Sequence, residues 1–221
     1  RMILDVIADN DVESVTLMCS VQSLKTTIAH VSLCRFIAVD PGPAMFVSQS
    51  QDIAKIMLRD RMLPMFRRSP AVAALLPSGR HTITSTQISF STMPLYMAWG
   101  GSKKKLQSTP VRIANIDEPE LYPGAVEEII DRLGAFWNSR AIFTGTPQQS
   151  GGILHRQFLR GSQHRWFWPC LKCGHEQEAR WAQMKWDKDW SNVRYECEIC
   201  AHKHFDVPQT RHHIACAGRW I

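Results

Sequence analysis

Three short stretches of this chain carry residue types that phosphate and divalent-metal chemistry use. The first is Val21-Gln22-Ser23-Leu24-Lys25-Thr26-Thr27, between the apolar run SVTLM (14–18) and the helix-like run IAHVSLCRFIAV (28–39). A strand, a loop ending in Lys-Thr and a helix is the layout of a phosphate-binding loop. The loop N–H groups from Gln22, Ser23 and Leu24 onward face an anion at the helix start, Lys25 reaches the β- and γ-phosphates, and the Thr26 hydroxyl reaches Mg²⁺. The signature G-x-x-x-x-G-K-[ST] asks for glycine at positions 19 and 24, where this chain has Cys19 and Leu24. Taken alone, the stretch also fits an ordinary strand-to-helix turn with a capping threonine. A Cβ at position 24 resists the positive φ that such loops use, and a leucine there crowds the path of a phosphate.

The second stretch is VRIANIDEPELYP (111–123), an apolar strand ending in adjacent carboxylates. Asp117 is placed to hold Mg²⁺ and Glu118 to polarise an attacking water as catalytic base. Two such carboxylates are costly at a strand end unless a cation or hydrogen-bond donors satisfy them; the competing reading is a solvated acidic turn. The third is RAIFTGTP (140–147), where Thr144, Gly145 and Thr146 follow an apolar strand and are candidates to sense the γ-phosphate, coupling hydrolysis to motion, or to contact nucleic acid; taken alone, the stretch fits better a turn with threonine caps. About 90 residues separate Lys25 from the acidic pair, and about 27 more lead to the Thr-Gly-Thr turn. Order and spacing together point to one nucleotide site, intact or decayed.

A different chemistry lies further on. PCLKCGHEQ and YECEICAHK supply Cys170-x₂-Cys173 and Cys197-x₂-Cys200. Two such knuckles at this separation read as a closed tetrahedral Cys₄ zinc site, structural because no position is left open for water. His175 and His202 follow the knuckles as surface or supporting residues. The seven cysteines include three scattered ones, and an odd count without a secretory leader argues for a reducing compartment. The tryptophans at 166, 168, 181, 186 and 190 are read first as packing residues, with base stacking as the rarer alternative.

The elements that must position these groups alternate. The pattern predicts strands over 15–18, 44–50, 81–92, 111–116 and 140–147, the last running into a turn. It predicts helices over 25–39, 51–66, around 71–76, 124–137 and 153–160, with Pro64 disturbing the last turn of the second. Alternation of this kind makes a mostly parallel sheet with helices on both faces, and ligands then bind outside the carboxyl ends of the strands. Near Trp166 tryptophan, cysteine and histidine become frequent, which places a boundary at 163: an α/β domain over 1–163 and a small zinc-ribbon module over 164–221. The net charge of +6 is compatible with nucleic acid without establishing it. Lys103, Lys104 and Lys105 are candidates for DNA phosphate contact. No apolar run reaches the roughly 18 residues of a membrane helix, and no leader peptide is visible. Beginning on Arg1 and stopping at GRWI, the chain reads as a fragment of a longer protein.

With these elements placed, the chain resembles the ATPase part of phage large terminases of the lambda-type GpA family. The resemblance rests on VQSLKTT with Gln22 three before the lysine, MFVSQSQDIAKIMLRDRMLPMFRRSP (45–70), LQSTPVRIANIDEPELYP (106–123), AIFTGTP (141–147) and WPCLKCGHEQEARW (168–181). It implies a P-loop NTPase fold of the ASCE-like kind, followed by a zinc ribbon and a linker towards a nuclease domain that these residues do not contain. It implies an ATP-driven motor that packages double-stranded DNA into a procapsid. Its partners would be a small terminase subunit and a portal, its assembly a homo-oligomeric ring, and its place the host cell cytoplasm, with no membrane. Two rival readings stay open: a module that has lost hydrolysis and binds nucleic acid or protein, and a helicase-like ATPase that remodels DNA.

Overall fold

The structure, a computed structural model, describes residues 3–79, 82–102 and 109–221. Lys103, Lys104 and Lys105 lie outside the described residues. The chain divides into two compact units, Arg1–Ser162 and Gln163–Ile221.

The first unit is built on a seven-stranded sheet: β1 (Ser14–Met18), β2 (Ala44–Ser48), β3 (Ile83–Thr84), β4 (Gln87–Ser89), β5 (Pro94–Trp99), β6 (Ile113–Asp117) and β7 (Arg140–Gly145). The order is β1-β7-β6-β2-β5-β4-β3. The five strands from β1 to β5 in that order run parallel, and β4 and β3 are antiparallel additions at one edge. Every residue of β2, β6 and β7 is buried, as expected of strands covered on both faces.

The period of two along these strands sorts their side chains into two cores. Ala44 and Phe46 of β2 join Ile113 and Ile142 on one face. That face is covered by α1 (Ile3–Ala8), α2 (Lys25–Ala38), α3 (Gln51–Ile56), α4 (Leu63–Arg68) and α5 (Pro70–Ala73), through Ile7, Leu33, Phe36, Ala54, Phe66 and Val72. Met45 and Val47 point the other way with Ala114, Ile116 and Phe143, beneath α6 (Val126–Asp131) and α7 (Ile153–Arg160). Asn115 is a polar residue in the middle of β6, fully buried, and its Nδ2 donates to the Ala29 carbonyl of α2 at 3.2 Å.

Two local features depart from the sequence expectation. The helix starting at Gln51 does not stop near Pro64. A π turn over Met57–Met62 joins α3 to α4, and the Leu63 N–H reaches back five residues to the Leu58 carbonyl. Proline lacks the N–H for the next α-type bond; the widened turn takes up that defect and the helix runs on to Arg68. The expected strands also omit β5. Its proline start and loop-like flank hide it, yet it pairs with β2 over five residues.

The second unit has two three-stranded sheets. β8 (Trp166–Pro169) lies between β9 (Glu176–Glu178) and β13 (Arg219–Trp220), and β11 (Arg194–Glu196) between β10 (Met184–Lys185) and β12 (Lys203–Phe205). A helix, α8 (Pro208–Ala217), precedes β13. Its small core joins Trp168 to Tyr195 and His204, with ring centroids 5.3 and 4.9 Å apart. No helix among the described residues is long and apolar enough to cross a membrane.

Candidate nucleotide site and cysteine cluster

The carboxyl ends of β1, β7 and β6 lie side by side, and their register decides what meets there. Leu17 and Met18 pair with Thr144 and Gly145, while Thr144 also pairs with Asp117. Beyond the strands the ladder continues: the Cys19 N–H donates to the Gly145 carbonyl at 3.1 Å, and the Glu118 N–H to the Thr144 carbonyl at 2.7 Å.

From β1 the chain enters the loop at 19–24 and then α2, whose first residue is Lys25. Leu24 sits at φ 63°, ψ 6°, and Gln22 also has positive φ. The loop therefore takes the left-handed geometry despite the Cβ that was expected to resist it. The Leu24 side chain is 69% exposed and turns away from the protein. The Ser23 hydroxyl closes the loop by donating to the Ser20 carbonyl at 2.6 Å.

Lys25 is buried and its ammonium is held three ways. It donates to the Thr146 hydroxyl at 2.8 Å, lies 3.2 Å from the Glu118 carboxylate, and makes a longer contact to the Ser20 carbonyl at 3.4 Å. Glu118 adopts the left-handed region at φ 53°, which swings its carboxylate back over β7, where it accepts the Thr146 N–H at 3.0 Å. Gly145 makes room for this: a Cβ there would stand 3.2 Å from both the Glu118 carboxylate and Leu154.

Asp117 is the buried acid of the pair. One carboxylate oxygen accepts from the Thr144 hydroxyl at 2.6 Å and from the Thr26 hydroxyl at 3.2 Å. The oxygens of Thr26 and Asp117 are thus spaced as neighbouring ligands of an octahedral Mg²⁺, whose bonds of about 2.1 Å put adjacent oxygens about 3 Å apart. Burial pushes the Asp117 carboxyl above its ordinary range, opposed by the Thr144 hydroxyl; neighbouring Glu118 pushes it further up, and Thr26 and Lys25 pull it down.

Of the residues singled out at the three strand ends, Lys25, Thr26, Asp117, Glu118, Thr144, Gly145 and Thr146 are gathered at one place, while Leu24 is exposed. Sequence reasoning missed Tyr122, whose buried hydroxyl donates to the Asp117 carbonyl at 2.7 Å and lies 3.1 Å from the Val47 carbonyl. It also missed Glu120, which accepts the Leu154 N–H at 2.9 Å and so fastens the start of α7. Neither has a spacing signature, because both act through backbone groups brought near by folding.

In the second unit four cysteine sulfurs lie within 4.8 Å of one another. Cys170 and Cys200 are 3.7 Å apart, and Cys173 and Cys197 3.8 Å. A zinc tetrahedron with Zn–S bonds of about 2.3 Å has edges of about 3.8 Å, whereas a disulfide needs sulfurs about 2 Å apart. The donor set and its spacing fit zinc. The two knuckles are built alike, as C-x-x-C-G-H and C-x-x-C-A-H. In each, the first cysteine donates its N–H to the histidine carbonyl five residues on, and its carbonyl accepts the N–H of the fifth residue, Gly174 or Ala201, which has positive φ. The histidine that reaches the cluster is neither His175 nor His202 but His204, with Nε2 3.3 Å from the Cys170 sulfur; His175 pairs with Glu198 instead.

The first unit is thus a mixed α/β fold of the phosphate-loop class, with β7 inserted between the loop strand and the acidic strand. The chain belongs to the family of phage terminase large subunit gpA ATPase domains, whose model matches residues 1–220. No curated protein matches it. Among solved structures it is similar to the large terminase ATPase domain of Thermus phage P74-26, with TM-score 0.56 and 15% identity over 73% of this chain and 70% of that one. It is also similar to the large terminase of bacteriophage HK97, with TM-score 0.58 and 14% identity. That alignment covers 70% of this chain but 35% of the HK97 protein. Identities this low establish a shared fold and nothing finer.

Two outcomes follow from this geometry. A left-handed non-glycine residue costs roughly 1–2 kcal/mol, offset in part by the unfolded-chain freedom that glycine adds. Leu24→Gly should therefore stabilise the first unit by up to ~1 kcal/mol, seen as a higher thermal midpoint, whereas Leu24→Ala should give no gain. Equal melting of all three proteins would show that position 24 carries no strain.

The second outcome concerns pH. A carboxyl raised by burial binds its proton more tightly in the folded than in the unfolded chain. Its stabilising contribution is present below the ordinary carboxylate pKa and is lost as pH rises through the raised value. Urea unfolding of Mg²⁺- and nucleotide-free protein with its zinc retained, between about pH 4 and 7, should show this decline, and Asp117→Asn should flatten it. An unchanged slope in the variant would assign the decline to other groups.

Proposed function

We propose that this chain is the ATP-hydrolysing motor part of a phage large terminase, driving double-stranded DNA into a procapsid. The observation that carries the reading is Lys25, held between the Thr146 hydroxyl and the Glu118 carboxylate across 121 residues of sequence. The phosphate-loop lysine, the candidate base and the coupling turn already meet in one hydrogen-bonded group. Family membership supports a role in phage DNA packaging.

In this reading the 22–26 backbone and Lys25 hold the β- and γ-phosphates of ATP, and Thr26 and Asp117 hold Mg²⁺, which neutralises charge on the transferred phosphoryl group. Glu118 accepts the proton of the attacking water. To do so it must leave Lys25, and Lys25 is the group that a γ-phosphate competes for. Thr144, Gly145 and Thr146 report that exchange, because the Thr146 N–H and hydroxyl touch both partners. Lys103, Lys104 and Lys105 remain candidate DNA contacts on sequence grounds. The small subunit, the portal, the ring and a host-cytoplasmic location belong to the packaging role proposed. The four cysteines are proposed to hold one structural zinc.

The test is DNA-stimulated ATP hydrolysis by the purified chain and by its longer parent. Glu118→Gln should lower kcat by at least about 100-fold, the scale of a lost general base, with nucleotide still bound. Lys25→Ala should weaken nucleotide binding itself. Turnover persisting in both variants would place the site elsewhere, and folded wild-type protein that binds ATP without turnover would establish a module that has lost hydrolysis. Metal analysis should find about one zinc per chain, lost with the fold of the second unit in Cys170→Ser. Folded wild-type protein without zinc would overturn the metal assignment.

A further inference from the structure

Five tryptophans crowd residues 166–190, and the structure sorts them sharply. Trp168 is fully buried and Trp166 packs edge-on to Trp220. The other three form a row on the surface. Trp186 stacks on Trp190 at 5.2 Å with the rings 12° apart, and Trp181 lies 5.9 Å from Trp186 with the rings tilted by 44°. Trp181 is 77% exposed and Trp190 72%.

The loop that presents Trp190 is held rigidly. Trp190 and Asn192 both have positive φ. Asp187 organises the turn: its N–H donates to the Ser191 carbonyl, its carbonyl accepts the Trp190 N–H, and its carboxylate accepts from Asn192 at 2.7 Å and Arg194 at 3.0 Å. Asp189 accepts the Ser191 hydroxyl at 2.6 Å. This network fixes a large apolar ring outward, in a backbone region that such a residue rarely adopts. Hydrophobic packing does not account for that, since the ring gains little burial.

The charges around the row are unequal. Asp187 is ion-paired with Arg194 and Arg180 with Glu178, while Asp189 accepts from the neutral Ser191 N–H and hydroxyl and keeps its negative charge. Lys185 is hydrogen-bonded only to the Ala182 carbonyl, and Lys188 has no ion pair among the described residues. The row therefore offers flat aromatic faces beside Lys185 and Lys188, neither of which makes an ion pair among the described residues. An anionic polymer with exposed planar rings matches both properties, whereas duplex DNA keeps its base faces stacked inside.

We infer that Trp181, Trp186 and Trp190 form a stacking platform for the unpaired bases of a nucleic-acid strand, with Lys185 and Lys188 against its phosphates. The platform lies wholly within the second unit and does not depend on ATP hydrolysis by the first.

The test uses the whole chain with zinc present and fluorescein-labelled oligo-dT, read by anisotropy, with a blunt duplex as competitor. Oligo-dT should bind at low salt, quench tryptophan emission, and resist competition by the duplex. Trp190→Ala should weaken binding about tenfold, within the range for one lost stacking partner, and Trp190→Phe should restore most of it. Lys185→Ala with Lys188→Ala should lower the salt dependence by one or two phosphate contacts' worth. Unchanged circular dichroism and zinc content in Trp190→Ala would show that the loss is not misfolding; should that variant unfold, Lys188→Ala and the competition assay carry the test. Oligo-dT affinity that is absent, unaltered by Trp190→Ala, or matched by the duplex without quenching would overturn the proposal and leave the row as a protein-docking face.

Discussion

The register of β7 is the constraint on which the candidate site rests. This strand is hydrogen-bonded on both sides, to β1 and to β6. Its pairing places Thr144 beside Asp117 and Gly145 beside the last residue of β1. Shifting either pairing by one residue would turn every side chain of the slipped strand to the opposite face, moving Ile142 out of one core and Phe143 out of the other. The two cores thus hold the register, and the register holds the polar groups. Side chains as distant in sequence as Thr26 and Asp117 are kept at 3.2 Å by apolar packing that none of them takes part in.

Within that frame the charged groups of the site satisfy one another. Lys25 and Glu118 pair; Asp117 is held by two hydroxyls. A buried charge left alone is costly, while a paired and hydrogen-bonded one is tolerated. The Lys25–Glu118, Lys25–Thr146 and Asp117–Thr144 partnerships each join a group proposed to contact phosphate or metal to one proposed to act on water or to relay motion. A ligand that takes Lys25 or Asp117 therefore acts at once on Glu118, Thr144 and Thr146. Backbone strain sits at the same place: Leu24 and Glu118 both occupy the left-handed region, and such residues persist only where their surroundings over-determine them. At Leu24 the helix start and the Ser23–Ser20 bond do so; at Glu118, the Thr144 carbonyl and the Thr146 N–H.

Much of this was readable in advance because parallel sheets write their active ends plainly. A mainly apolar strand followed by polar residues marks its own carboxyl end, and the three stretches around Lys25, Asp117 and Thr144 did so. The two cysteine knuckles were equally plain, since thiolate spacing states the metal geometry almost directly. What escaped was set by tertiary context. β5 starts on a proline and is defined by its pairing with β2, not by its own pattern. The π turn at Met57–Met62 answers to Pro64 but leaves no periodicity to see. Tyr122 and Glu120 work on backbone groups, and His204 reaches Cys170 only because β12 folds back beside it. The geometry at Leu24 was misjudged for a related reason: propensity argues against positive φ at leucine, and the loop's own bonds override propensity.

The two units reach stability by different routes, and this bears on the metal. The first buries two continuous apolar cores on either side of a sheet. In the second, the buried apolar side chains among the described residues are Trp168 and Tyr195 beside the thiols Cys170 and Cys197, and several tryptophans that could have enlarged this core face outward. A unit of this size with so little buried surface falls short of the entropy cost of ordering its chain. The shortfall is of the kind a structural metal makes up, since binding energy at a site absent from the unfolded chain becomes folding energy. The alike construction of the two knuckles points the same way. Gly174 and Ala201 occupy equivalent left-handed positions, each in a turn closed by the same pair of backbone bonds and presenting two of the four thiols. Four thiolates converging on one cation would hold it, and would fix the platform of the second unit from which Trp190 is presented.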